Sequence, residues 1–581
     1  MSRNDEVARR LEEFADLLEA QDVAYKPRSY RRAAENVRDH PDAVEKLATE
    51  GKDAVAEIEG VGDAISAKIV EYVETGTIEE LEQLREQLPV EMAALTAVEG
   101  VGPKTAGTLY EALGVRTLED LEGAARAGEI QTVSGFGAKT EQNILEGIEF
   151  ARKAHGRQLL SEARPRGEAV RDALLETAAV ERCELAGSIR RWKPTVGDVD
   201  VLVGSDDPEA VVERFTELSE ADEVIEAGSS KASIRSERVR IDLRVVDPAE
   251  FGAALQYFTG SKQHNVAVRN RAIERDRKVN EYGVFDVSAV DDADAGQRIG
   301  ELVASETETA VYDAVGLAWI PPELREDRGE IAAAADGDLP ELVESAEIRG
   351  DLHTHTDWSD GRATLREMAA GAAEFGHDYL CVTDHATGPG MVGGVGLGDD
   401  ELREQLSEIR AVDDEVAIDV FAGVEANIGE DGSVSVGDEL LAALDFVVAS
   451  PHAALDGDGT DRLVTAAKHP AVDVIGHPTG RQLNRREGLE VDVERLATVA
   501  ADHGTALEVN ANPNRLDLSG QAVKRAIEQG ATIVIDTDAH GPSSFEFVRF
   551  GVRTARRGWA ERGDILNTRD ADGIREFAGI E

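Results

Sequence analysis

Seven short apolar runs, at 348–352, 378–383, 418–424, 445–449, 472–475, 505–510 and 531–536, constrain the C-terminal part of this chain more than any other feature. Each has the length of a buried strand, and the sequence between them is long enough for a helix, so the pattern is that of parallel strands joined by crossovers. The runs end on metal-binding residue types. These are His353 and His355 in DLHTHTDWSDG, Asp360 in the same stretch, His385 in VTDH, Glu425 in GVEAN, His452 in SPH, His477 in IGHP, and Asp538 with His540 in DTDAH. In a closed barrel of parallel strands the carboxyl ends meet at one mouth, where the chemistry gathers. Six imidazoles and three carboxylates there make a polynuclear metal site. A lone histidine is usually a surface or core residue, and His40, His155, His377, His469 and His503, which end no run, are read that way. Ligand types at almost every strand end are poorly explained by chance.

The chain has 581 residues, which at ~150 per domain implies three to five domains. Its net charge is −54, from 116 Asp and Glu against 62 Lys and Arg, dispersed along the sequence with no acidic tail. Dispersed acid on a globular pattern suits a protein kept in molar salt, where the Debye length falls to ~3 Å and self-repulsion is screened. An extreme halophile is the expected source. Cys183 and Cys381 lie far apart in apolar runs, so no disulfide framework is expected. No apolar run approaches the ~18 residues of a membrane span, and MSRNDEVARR lacks a signal-peptide core. A soluble cytoplasmic monomer with no membrane partner is the expectation.

Three segments near the N-terminus share one form: IEGVGDAISAKIVEYV, VEGVGPKTAGTLYEAL and VSGFGAKTEQNILEGI. Each places a Gly-x-Gly (Gly60 and Gly62, Gly100 and Gly102, Gly135 and Gly137) before an amphipathic helix. The unpaired N–H groups opening that helix, with the positive dipole end behind them, make a seat for phosphate. Backbone donors grip a sugar-phosphate strand without reading bases. The three segments resemble helix-hairpin-helix DNA-binding motifs. Lys26, Arg28, Arg31 and Arg32 cluster around Tyr30, and Arg269, Arg271, Arg275, Arg277 and Lys278 form a second basic group, for which a solvated face is the equal alternative.

The stretch LAGSIRRWKPTVGDVDVLVG brings Gly187 and Ser188, then Arg190 and Arg191, then Gly197 and the alternating Asp198-Val199-Asp200-Val201. Residues i and i+2 of a strand share a face, so Asp198 and Asp200 point together while the valines go to the core. Asp242 in VRIDLRVV lies on another alternating strand. Three carboxylates on neighbouring strands suit two Mg²⁺ or Mn²⁺ ions ~3.5–4 Å apart, the arrangement that serves phosphoryl transfer. Gly187, Ser188 and Arg191 would seat a polyphosphate. The pattern G-S-x-R-R…G-D-x-D-V-L resembles the nucleotidyltransferase signature of family X DNA polymerases, and LQYFTGSKQHNVAVRNRA resembles that family's nucleotide-binding segment.

The resemblance, from about residue 5 to 320, implies that Asp198 and Asp200 bridge both ions and that Asp242 helps activate the primer hydroxyl. It implies Ser188 and Arg191 on the β and γ phosphates, Tyr257 and Phe258 around Gly260 as a steric gate at the sugar, and Asn265 and Arg269 on the minor-groove side. Lys68 matches the family's Schiff-base lysine for removing 5′-deoxyribose phosphate, with Lys26 and Tyr30 in its 5′-phosphate pocket, although Ala64 stands where a supporting lysine is usual. Lys262 replaces an acid found in many relatives, and Trp192 and Lys193 replace small residues.

The D-L-H-x-H-T…S-D-G opening and the ligands after it resemble the PHP (polymerase and histidinol phosphatase) domain, joined to family X polymerases by a segment like WIPPELREDRGEI. By that resemblance His353, His355, Glu425 and Asp538 would hold one ion, Glu425, His452 and His477 a second, and Asp360, His385 and His540 a third. Mixed imidazole and carboxylate sets suit Mn²⁺, Zn²⁺ or Fe²⁺. Arg481 would hold a phosphate or be a surface residue.

The expected fold is multidomain: all-α helix-hairpin-helix domains over 1–85 and 86–152, an α+β nucleotidyltransferase palm over 153–248, a nucleotide-binding subdomain over 249–320, a linker over 321–347, and a distorted (β/α)7 PHP barrel over 348–581. The expected activities are gap filling on gapped or nicked DNA with deoxynucleoside triphosphates and processing of 3′ ends, by exonuclease, phosphatase or abasic-site cleavage. A DNA-end scaffold with an inactive polymerase is the rival, disfavoured by the intact Asp198, Asp200 and Asp242. A small-molecule phosphatase fused to an unrelated module is disfavoured by the three hairpins.

Overall fold

Helices Asp63–Thr75 and Pro103–Leu113 each begin directly after the second glycine of a Gly-x-Gly, and Ala138–Ala154 does the same after Gly137. The first glycine of each pair, Gly60, Gly100 and Gly135, has φ between +73° and +95°, a conformation only glycine adopts without strain. Between the paired glycines Val61 and Val101 are buried in the core of this N-terminal unit, so the hairpins are anchored while the glycines stay exposed. The computed structural model describes every residue except 1–2, 24–25, 41–42, 59, 97, 99, 155–156, 294, 392–394 and 581, and the side chains of a few further residues around 3–5, 35–39 and 146–154 are left undescribed. The N-terminal unit closes near Arg157.

The palm is a five-stranded sheet in the order Arg182–Leu185, Val199–Gly204, Val239–Val246, Lys231–Ser236, Glu223–Ala227. Its centre is the parallel pair of the second and third, with Val199, Val201, Val203, Ile241 and Leu243 turned into the core. The helices Phe251–Thr259 and Lys262–Ile273 and a three-stranded antiparallel sheet follow. The segment expected as a linker is built into this region: Leu324, Ala334 and Leu342 lie in its core, and Glu330 reaches the buried His264 at 2.6 Å.

The C-terminal domain is a seven-stranded, all-parallel sheet with its strands in chain order: Gly350–Thr354, Tyr379–Val382, Asp419–Asn427, Phe446–Ser450, Val474–Ile475, Ala506–Asn510, Ile533–Asp536. Every apolar run of the sequence is one of these strands. The first and last close on each other through side chains more than through a ladder: Leu352 N–H donates to Asp536 (2.8 Å), the Thr537 hydroxyl to Asp351 (2.5 Å) and His355 N–H to the Ala539 carbonyl (2.8 Å). Leu516 and Phe550 of the barrel complete the palm's core cluster, so palm and barrel share buried surface. Among the described residues no helix is long and apolar enough to cross a membrane.

Candidate functional site

All nine ligand candidates converge on the mouth of the barrel. Glu425, fully buried on its strand, stands at the centre: Oε1 is 3.0 Å from His477 Nε2, 3.3 Å from His452 Nε2 and 3.4 Å from His353 Nε2, and Oε2 is 2.6 Å from His385 Nδ1 and 3.8 Å from His355 Nε2. Asp538 lies 3.2 Å from His355 Nε2, and Asp360 lies 3.2 Å from His540 Nε2 and 3.5 Å from His385 Nε2. Two of the ligands hold unusual backbone, with φ +23° at His477 and +55° at Asp538, the kind of strain found where geometry serves a site. Three donor sets come together: His355 with Asp360, His385 and His540; His353 with His355 and Glu425; His385 with Glu425 and His452. The expected third set gains His355; the first comes together without Asp538, and in the second His385 stands with Glu425 and His452 where His477 was expected.

The residues fit metal ions. Both Glu425 oxygens, both His355 nitrogens, His353 Nε2, His385 Nδ1 and His452 Nε2 are buried without a hydrogen-bond partner. Each such atom costs ~1–3 kcal/mol unless something satisfies it, and here they face one another. Burial pushes Glu425 upward, yet the charges of His452, His385 and His353 hold it well below the usual carboxylate range. Burial and the charge of Arg515 push His477 down to about 3, leaving it a neutral imidazole, the form that binds metal.

Behind the ligands is a layer that sequence reasoning missed. The strand Ala506–Asn510 ends in none of the nine, contrary to the expectation for every run. Its buried Glu508 accepts from His353 Nδ1 (2.7 Å) and from the His477 backbone N–H, fixing two ligands at once. Asn427 Oδ1 does the same for His452 Nδ1 at 2.7 Å. Asp384 accepts from Thr356 N–H (2.8 Å) and from the side chains of Thr356 (2.6 Å), Ser359 (2.5 Å) and Gln405 (2.5 Å), which holds the turn that carries Asp360. The signal was present: an acid on the interior-facing position of an apolar strand is costly unless it is used. Arg481 is half-buried, and its guanidinium donates to the carbonyls of Arg515 and Leu516.

In the palm, Asp200 and Asp242 are register partners on adjacent parallel strands. Asp242 accepts from Ser233 Oγ and from Arg240 Nε (2.8 Å), and Asp198 is exposed beside them. Burial, then the charges of Asp198 and Asp242, push Asp200 up to about 7. A site that raises one carboxylate by crowding it with two others is short of positive charge, which fits divalent ions. Gly187, at φ +61°, packs so tightly on Asp200 that a side chain there would overlap the carboxylate. Ser188 is half-buried and Gly197 exposed beside this shelf. Arg191 is more committed than expected: its guanidinium bonds Glu326 (2.8 Å) and the Thr259 carbonyl (2.6 Å). Arg190 is taken up by Glu308.

Tyr257 and Phe258 meet edge to face at 5.2 Å, and Phe258 also stacks with Arg244 at 4.3 Å, on the strand of Asp242. Asn265 donates to the Tyr257 carbonyl (2.7 Å), close against Gly260, and Arg269 is exposed one turn further on. Of the second basic group, Arg271 and Lys278 bond backbone carbonyls and so serve structure.

In the N-terminal unit Lys68 pairs with Glu80 at 2.5 Å and lies 5.4 Å from the Phe14 ring, on which Tyr30 stacks. Tyr30 is buried and Lys26 exposed. The six hairpin glycines are exposed.

Family models match four stretches: a helix-hairpin-helix domain over residues 2–78, a SAM-like helix-hairpin-helix tandem over 92–149, the DNA polymerase beta thumb over 254–326 and the PHP domain over 351–512. A Bacillus subtilis (strain 168) protein named DNA polymerase/3′-5′ exonuclease PolX is 34% identical over 580 residues, 98% of each chain. The chain belongs to the PolX family. Parts of it have other relatives. Rat (Rattus norvegicus) DNA polymerase lambda is 27% identical over 46% of this chain and 48% of its own. A probable phosphatase of Thermoanaerobacter sp. (strain X514) is 30% identical over 39% of this chain and 93% of its own. A PolX chain thus combines a family X polymerase with a PHP domain that is similar to free-standing proteins.

Proposed function

We propose that this chain fills short gaps in DNA under repair with its palm, and trims 3′ ends in the 3′-5′ direction with its barrel. The observation that carries the reading is the presence on one chain of two clusters of different chemistry: the Asp200 and Asp242 register pair, and the nine candidate ligands, mostly histidines, converging around Glu425.

In the palm, Asp198, Asp200 and Asp242 would hold two Mg²⁺ or Mn²⁺ ions, which when bound neutralise the triphosphate and acidify the primer hydroxyl. The chain's own residues do the placing. Ser233 and Arg240 fix the Asp242 carboxylate, Ser188 and Arg191 border the polyphosphate, Tyr257 and Phe258 wall the sugar, and Asn265 and Arg269 probe the minor groove, where pair shape is legible but base identity is not. In the barrel, the nine ligands would hold up to three Mn²⁺, Zn²⁺ or Fe²⁺ ions, which when bound supply Lewis-acid polarisation of a phosphate and a water acidified toward ~7. Glu508, Asn427 and Asp384 hold the ligands in place for this. The hairpin amides after Gly60, Gly100 and Gly135 would grip the DNA backbone. The dispersed acid supports work in the molar salt of a halophile's cytoplasm, where screening leaves local amides and a few cations to bind the strand.

One assay tests both halves. On a gapped duplex in molar KCl with Mg²⁺ or Mn²⁺, primers should lengthen when deoxynucleotides are present and shorten when they are absent. Neither change on wild-type enzyme would overturn the reading.

A further inference from the structure

The barrel helix Val548–Arg557 carries four arginines, of which Arg556 and Arg557 are buried. A buried guanidinium is expensive unless every face is used. Arg556 and Arg553 spend theirs on the buried carboxylate of Glu323, at 2.9 and 2.5 Å, and so clamp the 323–326 segment onto the barrel. Arg557 reaches further. Its Nη1 donates to the backbone carbonyl of Arg191 at 2.6 Å and lies 3.5 Å from Glu326 Oε1. That same oxygen accepts from Arg191 Nε at 2.8 Å, while Arg191 Nη1 donates to the Thr259 carbonyl at 2.6 Å.

Two edges of the Arg191 guanidinium are thereby fixed. Among the described residues no partner is taken by its remaining nitrogen, Nη2, and the positive charge is felt by Asp200. The next residue is held from both sides: Trp192, at φ +54°, has Arg164 of the palm 3.6 Å from its ring, and from the barrel Arg553 at 5.2 Å and the Phe550 ring at 6.1 Å. A guanidinium is a rigid planar fork, so fixing two edges fixes the direction of the third.

We infer that Arg557, although part of the barrel, is a positioning residue for nucleotide binding in the palm: by anchoring Glu326 and the Arg191 backbone it sets the free edge of Arg191 toward the incoming polyphosphate. The inference rests on the polymerase reading above and makes nucleotide affinity depend on a side chain in the other domain. Arg557 makes no contact with the nine ligands, so the barrel's hydrolysis should not depend on it.

The test is steady-state gap filling by full-length Arg557→Met, Arg557→Lys and Glu326→Gln, with 3′ shortening and thermal melting measured on the same preparations. Loss of a charged hydrogen bond that orients a ligand-binding group is worth roughly tenfold. The expected result for Arg557→Met is about a tenfold rise in nucleotide KM with kcat within about threefold, an intermediate KM for Arg557→Lys, and unchanged 3′ shortening. An unchanged nucleotide KM in a folded Arg557→Met would overturn the inference while leaving the polymerase reading intact; wild-type enzyme that extends nothing would instead overturn that reading. If Arg557→Met loses both activities and melts early, Glu326→Gln decides: a raised KM at near-normal kcat supports the inference, and an unchanged KM overturns it.

Discussion

The palm and the barrel both gather acids against phosphate chemistry, but they do it in opposite ways. The palm uses three carboxylates on a half-open shelf, two of them paired by strand register, with no imidazole among the residues placed there. The barrel brings together nine candidate ligands from six strand ends, most of them buried, with imidazoles in the majority. A sparse oxygen shelf suits hard ions that keep waters and take their remaining ligands from the nucleotide. A buried, nitrogen-rich cage suits resident transition ions that need nothing from the substrate to stay bound. The contrast teaches where each site's fragility lies: the palm in its few direct ligands, the barrel in the layer that orients its many.

The largest expected effect breaks the two sites apart. Asp200→Asn should lower primer extension by about 10³-fold or more, since no other group replaces it, and leave 3′ shortening untouched. Glu425→Gln should do the reverse, because one oxygen of Glu425 faces three imidazoles and the other faces two. If either substitution removes both activities in a folded protein, the sites are not independent and the comparison fails.

A smaller effect sharpens it. Glu508→Gln keeps the shape but removes the charge that orients His353 and the His477 backbone. Outer-layer changes of this kind typically cost 10–100-fold in metal affinity. Titration of chelator-stripped protein with Mn²⁺ or Zn²⁺ should show that loss at the barrel, with the Mg²⁺ dependence of extension unchanged. Full retention of metal affinity would mean that His353 and His477 are held by packing alone.

How much of this was legible in the sequence follows the same division. The barrel's seven strands were readable because parallel strands buried on both faces leave unbroken apolar runs. The convergence of the nine candidate ligands was readable because strand ends meet in any such barrel. Glu508 was not, since ligand-type residues were sought at run ends and it lies inside one. In the palm, the partnership of Asp200 with Asp242 was inferred from alternation on two strands, and the register made it specific. The capture of Arg191 by Glu326 and Arg557 was hidden, because it joins residues 135 and 366 positions apart and depends on how the barrel helix docks. The 321–347 segment was read as a linker by its resemblance to the segment that joins the two domains in relatives. Its acids find their partners far off in the sequence: Glu323 in Arg556 of the barrel, Glu326 in Arg191 of the palm and Glu330 in His264.

The smallest effect is also the most diagnostic of the palm's design. Asp200 is pushed up to about 7 from an ordinary value of 3.8, first by burial and then by Asp198 and Asp242. A carboxyl whose folded pKa is raised favours the native state fully below its unfolded pKa, and that advantage is lost as the pH climbs through the folded value. The metal-free protein should therefore lose stability at this site between about pH 4 and pH 7, and above pH 7 the cost stays constant. Asp200→Asn removes the charge and with it the cost. In chelator-treated protein at pH 8 the variant should melt a few degrees higher than wild type, with the gap closing toward pH 4. Saturating Mg²⁺ should raise the wild-type melting temperature and not that of the variant, because the ions relieve the same repulsion. A variant that melts no higher than wild type at pH 8 without metal would mean that Arg244 and Arg191, whose charges act on Asp200, with Arg240 on Asp242, already neutralise the shelf, and that the palm is less starved of charge than its three crowded carboxylates imply.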